Sequence, residues 1–313
     1  MIYSIMPRFA CLALALLMGV AQSEERLVIK PASGMTATIV SPATIDPSQP
    51  VDLILYALPN GNTTAQTIGD AVPGDTGWRY DIQNIGAQTR ALRSRGVSQT
   101  IVAYLEADSK SWPVWRQTRG YANANPEIVR IVDSVVAAIG RPPKLSVTLT
   151  GHSGGGSFMF GFIEGGESIP TWINRIAFLD ANYNFDRRHR LPLSRWLAGD
   201  RNHRLVVVAY DDREIMLDGK KVVGDSGGTW RATERMLRWL ADDSIVVTRD
   251  STRGFDRWRS AQIEIVRHPN PQNRILHTEM IGEMNAYLHA MLLGRPGYDD
   301  RSSVLGLPRA YTK

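Results

Sequence analysis

The sequence predicts an α/β protein with a mostly parallel central sheet and helices on both faces. Short apolar segments rich in β-branched residues alternate along the chain with longer segments whose apolar residues recur at helical spacing. The nearly continuous apolar run over 51–58 is typical of a strand that is buried on both faces of a parallel sheet. In such sheets, functional groups lie beyond the carboxyl ends of the strands.

The N-terminal segment has the pattern of a signal peptide. Arg8 precedes an apolar stretch over 9–20, and small residues follow before Glu24. The stretch is too short to favour a membrane-spanning helix. We therefore expect a cleaved leader over 1–23, a single domain over 24–313, and an exported protein that is periplasmic or secreted.

Composition restricts the chemistry of the expected mature chain. The one cysteine, Cys11, lies inside the predicted leader, so disulfides, thiol catalysis and cysteine-bound metals are not expected. The net charge of +5 is a modest excess, and no aromatic-rich motif for nucleic-acid binding accompanies it. Basic residues cluster from Arg187 to Arg204, which we interpret as a solvated surface loop, with an anionic polymer or a membrane surface as the alternative partner.

Short apolar segments that end in turn residues are the predicted strands. They span 27–30, 36–40, 51–58, 100–105, 145–150, 175–179, 205–210 and 262–266. The third is followed by the tight-turn sequence Pro59-Asn60-Gly61-Asn62. Residues 215–223, centred on Asp218-Gly219, predict a small hairpin.

Segments with one apolar face are the predicted helices. They span 81–95, 126–139, 156–163, 229–241 and 278–293. The helix over 126–139 has the clearest ends: Asn125 is the expected cap, Pro126 suits the first helical position, and Gly140 ends the helix.

A G-x-S-x-G pattern occupies residues 151–155, with Ser153 at its centre. It lies between a predicted strand and an apolar helix, and a sharp strand-to-helix turn exposes a serine hydroxyl for nucleophilic attack. We therefore predict that Ser153 is a nucleophile and that the N–H of Gly154 stabilises an oxyanion. The alternative is a glycine-rich turn that serves packing only.

With this motif and strand order, the chain resembles the α/β-hydrolase superfamily over about Val51 to Leu293, and in particular exported bacterial serine esterases. The resemblance implies the chain order nucleophile, acid, histidine, and a reaction without metal or organic cofactor. His277, at the entrance to the final predicted helix, is the expected base. His268, before Pro269, is the alternative, as is the absence of a catalytic histidine.

The acid expected from the resemblance follows a late strand. The family pattern Gly-x-x-Asp is similar to Ala209-Tyr210-Asp211-Asp212, which favours Asp212 over its neighbour Asp211. Asp180 is the other alternative, because it follows the strand after the serine helix. The acid would orient the histidine and stabilise its charged form.

The resemblance places a second oxyanion donor in the loop after the third strand. Many relatives have His-Gly-x where this chain has Asn60-Gly61-Asn62. Asn62 is the expected donor and Gly61 the second choice, whereas an ordinary glycine turn is the alternative.

Trp112 and Trp115 follow the strand over 100–105 and are candidate substrate-binding residues. Indole rings near a strand end stack on sugar or aryl groups. The alternative is that both rings pack their loop onto the domain.

The predicted function is that of an exported serine hydrolase that cleaves carboxylic esters through an acyl-enzyme. Its substrate would be a small-molecule or polysaccharide-linked ester. One alternative is a peptidase or amidase with the same triad. Another is a non-catalytic carbohydrate-binding protein on a hydrolase fold, with the two tryptophans as its binding residues.

Overall fold

A computed structural model describes residues 23–70 and 77–313. Residues 1–22, which hold almost all of the predicted leader, lie outside this part. The strands of the described part are β1 (Glu24–Ile29), β2 (Met35–Pro42), β3 (Val51–Ala57), β4 (Thr100–Ala107), β5 (Leu145–His152), β6 (Ile173–Leu179), β7 (Arg204–Tyr210), β8 (Met216–Leu217), β9 (Lys220–Lys221), β10 (Thr248–Thr252), β11 (Phe255–Arg259) and β12 (Ile263–His268).

One mixed sheet contains all of these strands except β8 and β9, in the order β1-β2-β4-β3-β5-β6-β7-β12-β11-β10. Its centre, from β4 to β12, is parallel, and antiparallel strands extend both edges. The carboxyl ends of β5, β6, β7 and β12 therefore meet at one edge. The predicted mostly parallel sheet is confirmed, and β8 and β9 form the predicted small hairpin.

Helices cover both faces of the sheet, as predicted. They are α1 (Thr64–Ile68), α2 (Ile85–Ser94), α3 (Trp112–Arg119), α4 (Tyr121–Ala138), α5 (Gly155–Gly165), α6 (Arg187–Gly199), α7 (Thr229–Asp242), α8 (Glu279–Gly282) and α9 (Ala286–Leu292). On β3, Leu53 and Leu55 join the core under α3 to α7, whereas Ile54 and Tyr56 join the core under α1, α2, α8 and α9. Among the described helices, none is both long and apolar enough to cross a bilayer.

The start predicted for α4 is wrong. The helix begins at Tyr121 and contains Pro126 in its second turn. Asn125 does not cap it: its side-chain oxygen accepts a hydrogen bond from Arg116 Nε at 3.0 Å, and its side-chain nitrogen donates to Glu164 at 2.9 Å. A proline near the start of a helix removes only one early backbone bond, so tertiary contacts extend the helix past it.

The predicted final helix is divided into α8 and α9. Asn285 separates them with a φ of 58° in the left-handed region. Its side chain donates to the carbonyl oxygen of Leu307 at 2.8 Å and accepts from the N–H of Ala310 at 2.7 Å. The break therefore depends on a C-terminal segment that local periodicity does not reveal.

The arginine-rich segment is a helix, α6, and not the predicted loop. Asp186 caps α6 and forms a capping box with His189. Leu193, Trp196 and Leu197 pack into the core on the same side as α5. Arg187, Arg188, Arg190 and Arg195 therefore lie on a helix that is packed against the core, whereas Arg201 and Arg204 follow it.

Candidate active site

Ser153 occupies a tight turn between β5 and α5, at the carboxyl edge of the sheet. Its φ of 53° lies in the left-handed region, which side-chain-bearing residues rarely adopt. A Cβ added to Gly155 would lie 2.2 Å from the carbonyl oxygen of Ala57, and one on Gly156 would lie 1.8 Å from that of Ala181. The turn therefore requires glycine at both positions, and it presents the serine hydroxyl at the sheet edge.

His277 lies between β12 and α8, and its Nδ1 is hydrogen-bonded to Oδ2 of Asp180. Asp180 directly follows β6 and is fully buried, whereas the His277 side chain is 24% exposed. The other oxygen of Asp180 accepts a hydrogen bond from the hydroxyl of Thr229. This arrangement orients the imidazole and leaves its Nε2 as a proton acceptor. His268, the alternative base, lies instead at the end of β12, where its Nδ1 accepts from the N–H of Asn270 at 3.0 Å.

The contact with His277 that was expected of Asp212 is made by Asp180. The carboxylate of Asp212 caps α7, where it accepts a hydrogen bond from the N–H of Thr229 at 2.7 Å. Burial and the charge of Asp180 raise the pKa of Asp212 to about 6. Asp211 pairs with Arg213. The preference for Asp212 therefore needs correction. Its carboxylate binds the N-terminus of α7, the helix that follows β7, instead of His277.

The oxyanion donors also differ from the prediction in the loop after β3. The N–H of Gly61 donates to the carbonyl oxygen of Lys110 at 2.8 Å. The N–H of Asn62 lies 3.5 Å from the carbonyl oxygen of Pro59. Asn62 itself is buried. Both choices made from sequence are therefore directed into the loop and not toward the serine turn.

Asn60, which the sequence analysis did not select, lies beside the serine turn. Its side-chain oxygen would be 2.0 Å from a Cβ added to Gly154. Within the described residues, neither the N–H of Gly154 nor any polar group of Asn60 has a hydrogen-bond partner. Pro59 has no N–H, so Asn60 is the first residue after Leu58 that carries a backbone N–H. This feature of the sequence could have identified Asn60 as a candidate oxyanion donor.

His152 packs against His277 inside the site. The two ring centroids are 4.3 Å apart, and Nε2 of His152 donates to the carbonyl oxygen of His277 at 2.9 Å. Burial, and then the proximity of His277, lower the pKa of His152 well below its usual value. A neutral His152 thus holds the His277 loop, a role that its variable position in the motif does not indicate.

Tyr183 also lies against the serine, in the loop between β6 and α6. Its side chain lies close to that of Ser153, and its ring centroid is 6.5 Å from that of His277. Burial, followed by the nearby charges of Asp180 and Asp212, raises the pKa of Tyr183 well above its usual value. The phenol therefore stays protonated and can donate a hydrogen bond.

Trp112 and Trp115 are core residues and not substrate-binding residues. Their exposed fractions are 1% and 2%. Each indole N–H donates to a backbone carbonyl, that of Leu105 at 3.1 Å and that of Ser33 at 3.3 Å. Trp112 packs edge-to-face on Phe158 of α5. The two rings hold α3 against the sheet, so the packing alternative applies.

The sheet order, the strained serine turn after β5 and the histidine beyond β12 define the α/β-hydrolase architecture. No protein-family model and no curated protein sequence matches the chain.

Three solved structures illustrate what the chain is similar to. A thermostable esterase has 12% identity and a TM-score of 0.49, with 90% of this chain and 58% of that one covered. A feruloyl esterase module from Clostridium thermocellum has 13% identity and a TM-score of 0.43, with 80% and 82% covered. The dienelactone hydrolase-like phosphotriesterase P91 from metagenomic libraries has 11% identity and a TM-score of 0.40, with 79% and 82% covered.

Proposed function

We propose that this protein is a serine hydrolase that cleaves carboxylic esters, with Ser153 as nucleophile, His277 as general base and Asp180 as the acid. One observation carries the proposal: His277 contacts a fully buried carboxylate at the sheet edge where a serine is held in a left-handed turn. That carboxylate fixes the histidine tautomer and stabilises the imidazolium that forms when the serine loses its proton.

In the proposed reaction, Oγ of Ser153 attacks the acyl carbon while its proton passes to Nε2 of His277. The N–H of Gly154 and a donor of Asn60 bind the tetrahedral oxyanion. Collapse of this intermediate breaks the bond to the alcohol oxygen, which takes the proton from His277. A water molecule then attacks the acyl-enzyme, again with His277 as base, and releases the carboxylic acid.

Within the described residues, no hydrogen bond joins the hydroxyl of Ser153 to His277. We expect this bond to form when substrate binds, because catalytic hydrogen bonds commonly tighten only in the complex. The protonated phenol of Tyr183, which lies close to Ser153, would be placed to donate to an oxygen of the bound ester.

Labelling with a fluorophosphonate probe, followed by intact mass measurement, tests the proposal. The wild type should gain one adduct, and Ser153→Ala and His277→Ala should gain none. His268→Ala is the matched control and should label like the wild type. An adduct on Ser153→Ala, or none on a wild type with folded circular dichroism, would contradict the assignment.

Esters and anilides with the same acyl group then separate an esterase from an amidase with the same triad. We expect turnover of the ester and at least 100-fold slower turnover of the anilide, because ester cleavage needs no protonation of a poor amine leaving group. Equal rates would favour the amidase.

Export is a second part of the proposal, and it rests on the sequence of residues 1–23. N-terminal sequencing of the protein from a bacterial periplasmic or culture fraction tests it. A mature chain that begins near Glu24 is expected, and an intact leader on active protein would contradict it.

A further inference from the structure

A groove rich in arginine adjoins the proposed active site. Two adjacent depressions of about 450 Å³ and 630 Å³ share Phe185, Asp186, Arg188 and Arg235 as lining residues. We name the pair the basic groove; its arginines are Arg116, Arg187, Arg188, Arg190, Arg235 and Arg238. Its carboxylates are Glu164, Asp186 and Asp242.

Three of the arginines are neutralised by these carboxylates. The pairs are Arg116 with Glu164 at 2.9 Å, Arg188 with Asp186 at 2.8 Å, and Arg190 with Asp242 at 3.0 Å. Within the described part of the chain, Arg187, Arg235 and Arg238 have no carboxylate within ion-pair distance. The groove therefore carries an excess of positive charge from three guanidinium groups.

Arg235 holds the loop that carries Tyr183. Its Nε donates to the carbonyl oxygen of Phe185 at 2.8 Å, and its Nη2 donates to that of Tyr183 at 2.9 Å. Tyr183 lines the depression of about 450 Å³, and its ring centroid is 6.5 Å from that of His277. This depression therefore adjoins the proposed catalytic histidine.

The cations of the groove also repel one another. Burial, and then the neighbouring Arg238, lower the pKa of Arg235. A bound anion would relieve this repulsion, and guanidinium groups bind carboxylates through paired, charge-assisted hydrogen bonds.

We propose that the basic groove binds a carboxylate carried by the ester substrate, so that the preferred substrates are monoanionic esters. This inference rests on the proposed ester hydrolysis and adds the class of substrate. Arg187 and Arg238 are the residues expected to face the carboxylate, because both are exposed and neither is engaged by the protein. Arg235 is expected to anchor the wall between them and the serine.

The experiment compares mono(4-nitrophenyl) glutarate with 4-nitrophenyl pentanoate, two activated esters of equal acyl length that differ in the terminal carboxylate. We expect a higher kcat/KM for the glutarate ester. In the double variant Arg187→Gln/Arg238→Gln, the ratio of the two kcat/KM values should fall about tenfold. This is the effect expected from the loss of one to two charge-assisted hydrogen bonds. High salt should lower the wild-type ratio in the same direction.

Arg195→Gln is the matched control, since Arg195 is an exposed arginine of α6 that does not line the groove. Its ratio should equal that of the wild type. A ratio that is unchanged in the double variant, or that falls equally in Arg195→Gln, would overturn the inference while leaving ester hydrolysis intact.

Failure of the proposed function would look different, because neither ester would be hydrolysed. Calorimetric binding of monomethyl glutarate to Ser153→Ala then tests the groove without turnover. Binding that the two arginine substitutions weaken about tenfold supports the groove, and equal affinity in both proteins rejects it.

Discussion

At the residue scale, Thr229 places two carboxylates side by side. Its hydroxyl donates to Asp180 and its N–H donates to Asp212. Only Asp180 also contacts a histidine, so two neighbouring aspartates of similar burial have separate tasks. Substitution by asparagine, which keeps size and removes charge, distinguishes them.

Asp180→Asn should lower kcat for 4-nitrophenyl acetate by about 10³- to 10⁴-fold, because the amide no longer stabilises the charged histidine or fixes its tautomer. Asp212→Asn should stay within about tenfold of the wild type, since its amide oxygen still caps α7. Steady-state kinetics at pH 8 measures both. The reverse ranking would restore Asp212 as the acid.

The raised pKa of Asp212 predicts a pH dependence of stability. Between pH 4 and about 6 the folded state keeps a proton that the unfolded state has released, so this group lowers the free energy of unfolding as the pH rises. Two pKa units correspond to roughly 3 kcal/mol. Asp212→Asn, which does not titrate, should therefore gain stability relative to the wild type from pH 4.5 to pH 7.5 in urea unfolding.

Asp211→Asn is the control for this measurement, and its difference from the wild type should not change with pH over the same range. Although burial opposes the effect, hydrogen bonds from Arg213 hold the pKa of Asp211 below its usual value. Its carboxylate is therefore ionised in both the folded and the unfolded state above about pH 4.5, so it adds no pH dependence between about pH 4.5 and pH 7.5. A pH-independent difference for Asp212→Asn would contradict the raised pKa.

At the scale of the elements, the packing of α5 against β3 and the loop after β6 depends on glycine. Gly156→Ala should lower the free energy of unfolding by about 3 kcal/mol, because its Cβ would meet the backbone of Ala181 at 1.8 Å. Gly224→Ala is matched in chemistry and has nothing within 4 Å of the added Cβ. It should be nearly neutral. Urea unfolding of both variants checks this, and equal losses would argue against the crowded turn.

Sequence predicts well those strands and helices whose characteristic pattern lies within their own residues. β3, β5 and β7 are short apolar runs, and the serine turn carries its own glycines, so their places follow from residues close in the chain. Where tertiary contacts decide, prediction from the sequence is wrong. The start of α4 and the break before α9 depend on partners far along the chain.

The candidate site shows the same division. Ser153 and His277 could be selected because a motif and a chain order point to them. The choice between Asp180 and Asp212 could not be made, since it depends on which strand end faces the histidine. Trp112 and Trp115 illustrate another limit, because a strand-end position does not reveal that α3 folds both rings inward.

At the scale of the whole molecule, the C-terminal segment braces the elements that follow His277. Removal of residues 306–313 would take away three of the four C-terminal partners of Asn285 and the buried ring of Tyr311. We expect a loss of roughly 3 kcal/mol in the free energy of unfolding and weaker fluorophosphonate labelling. Removal of 312–313 alone, which are exposed, is the control and should change neither. Full labelling and stability in the longer truncation would contradict the bracing role.

The position of the proposed acid, Asp180, directly after β6 has a consequence for engineering. Residues 213–227, between β7 and α7, supply no member of the proposed triad and include the exposed hairpin of β8 and β9. The largely exposed part of this stretch, residues 216–225, can therefore be exchanged or lengthened while the reacting groups stay in register. It is a suitable insertion site for recognition segments, which could change selectivity while the proposed triad stays unchanged.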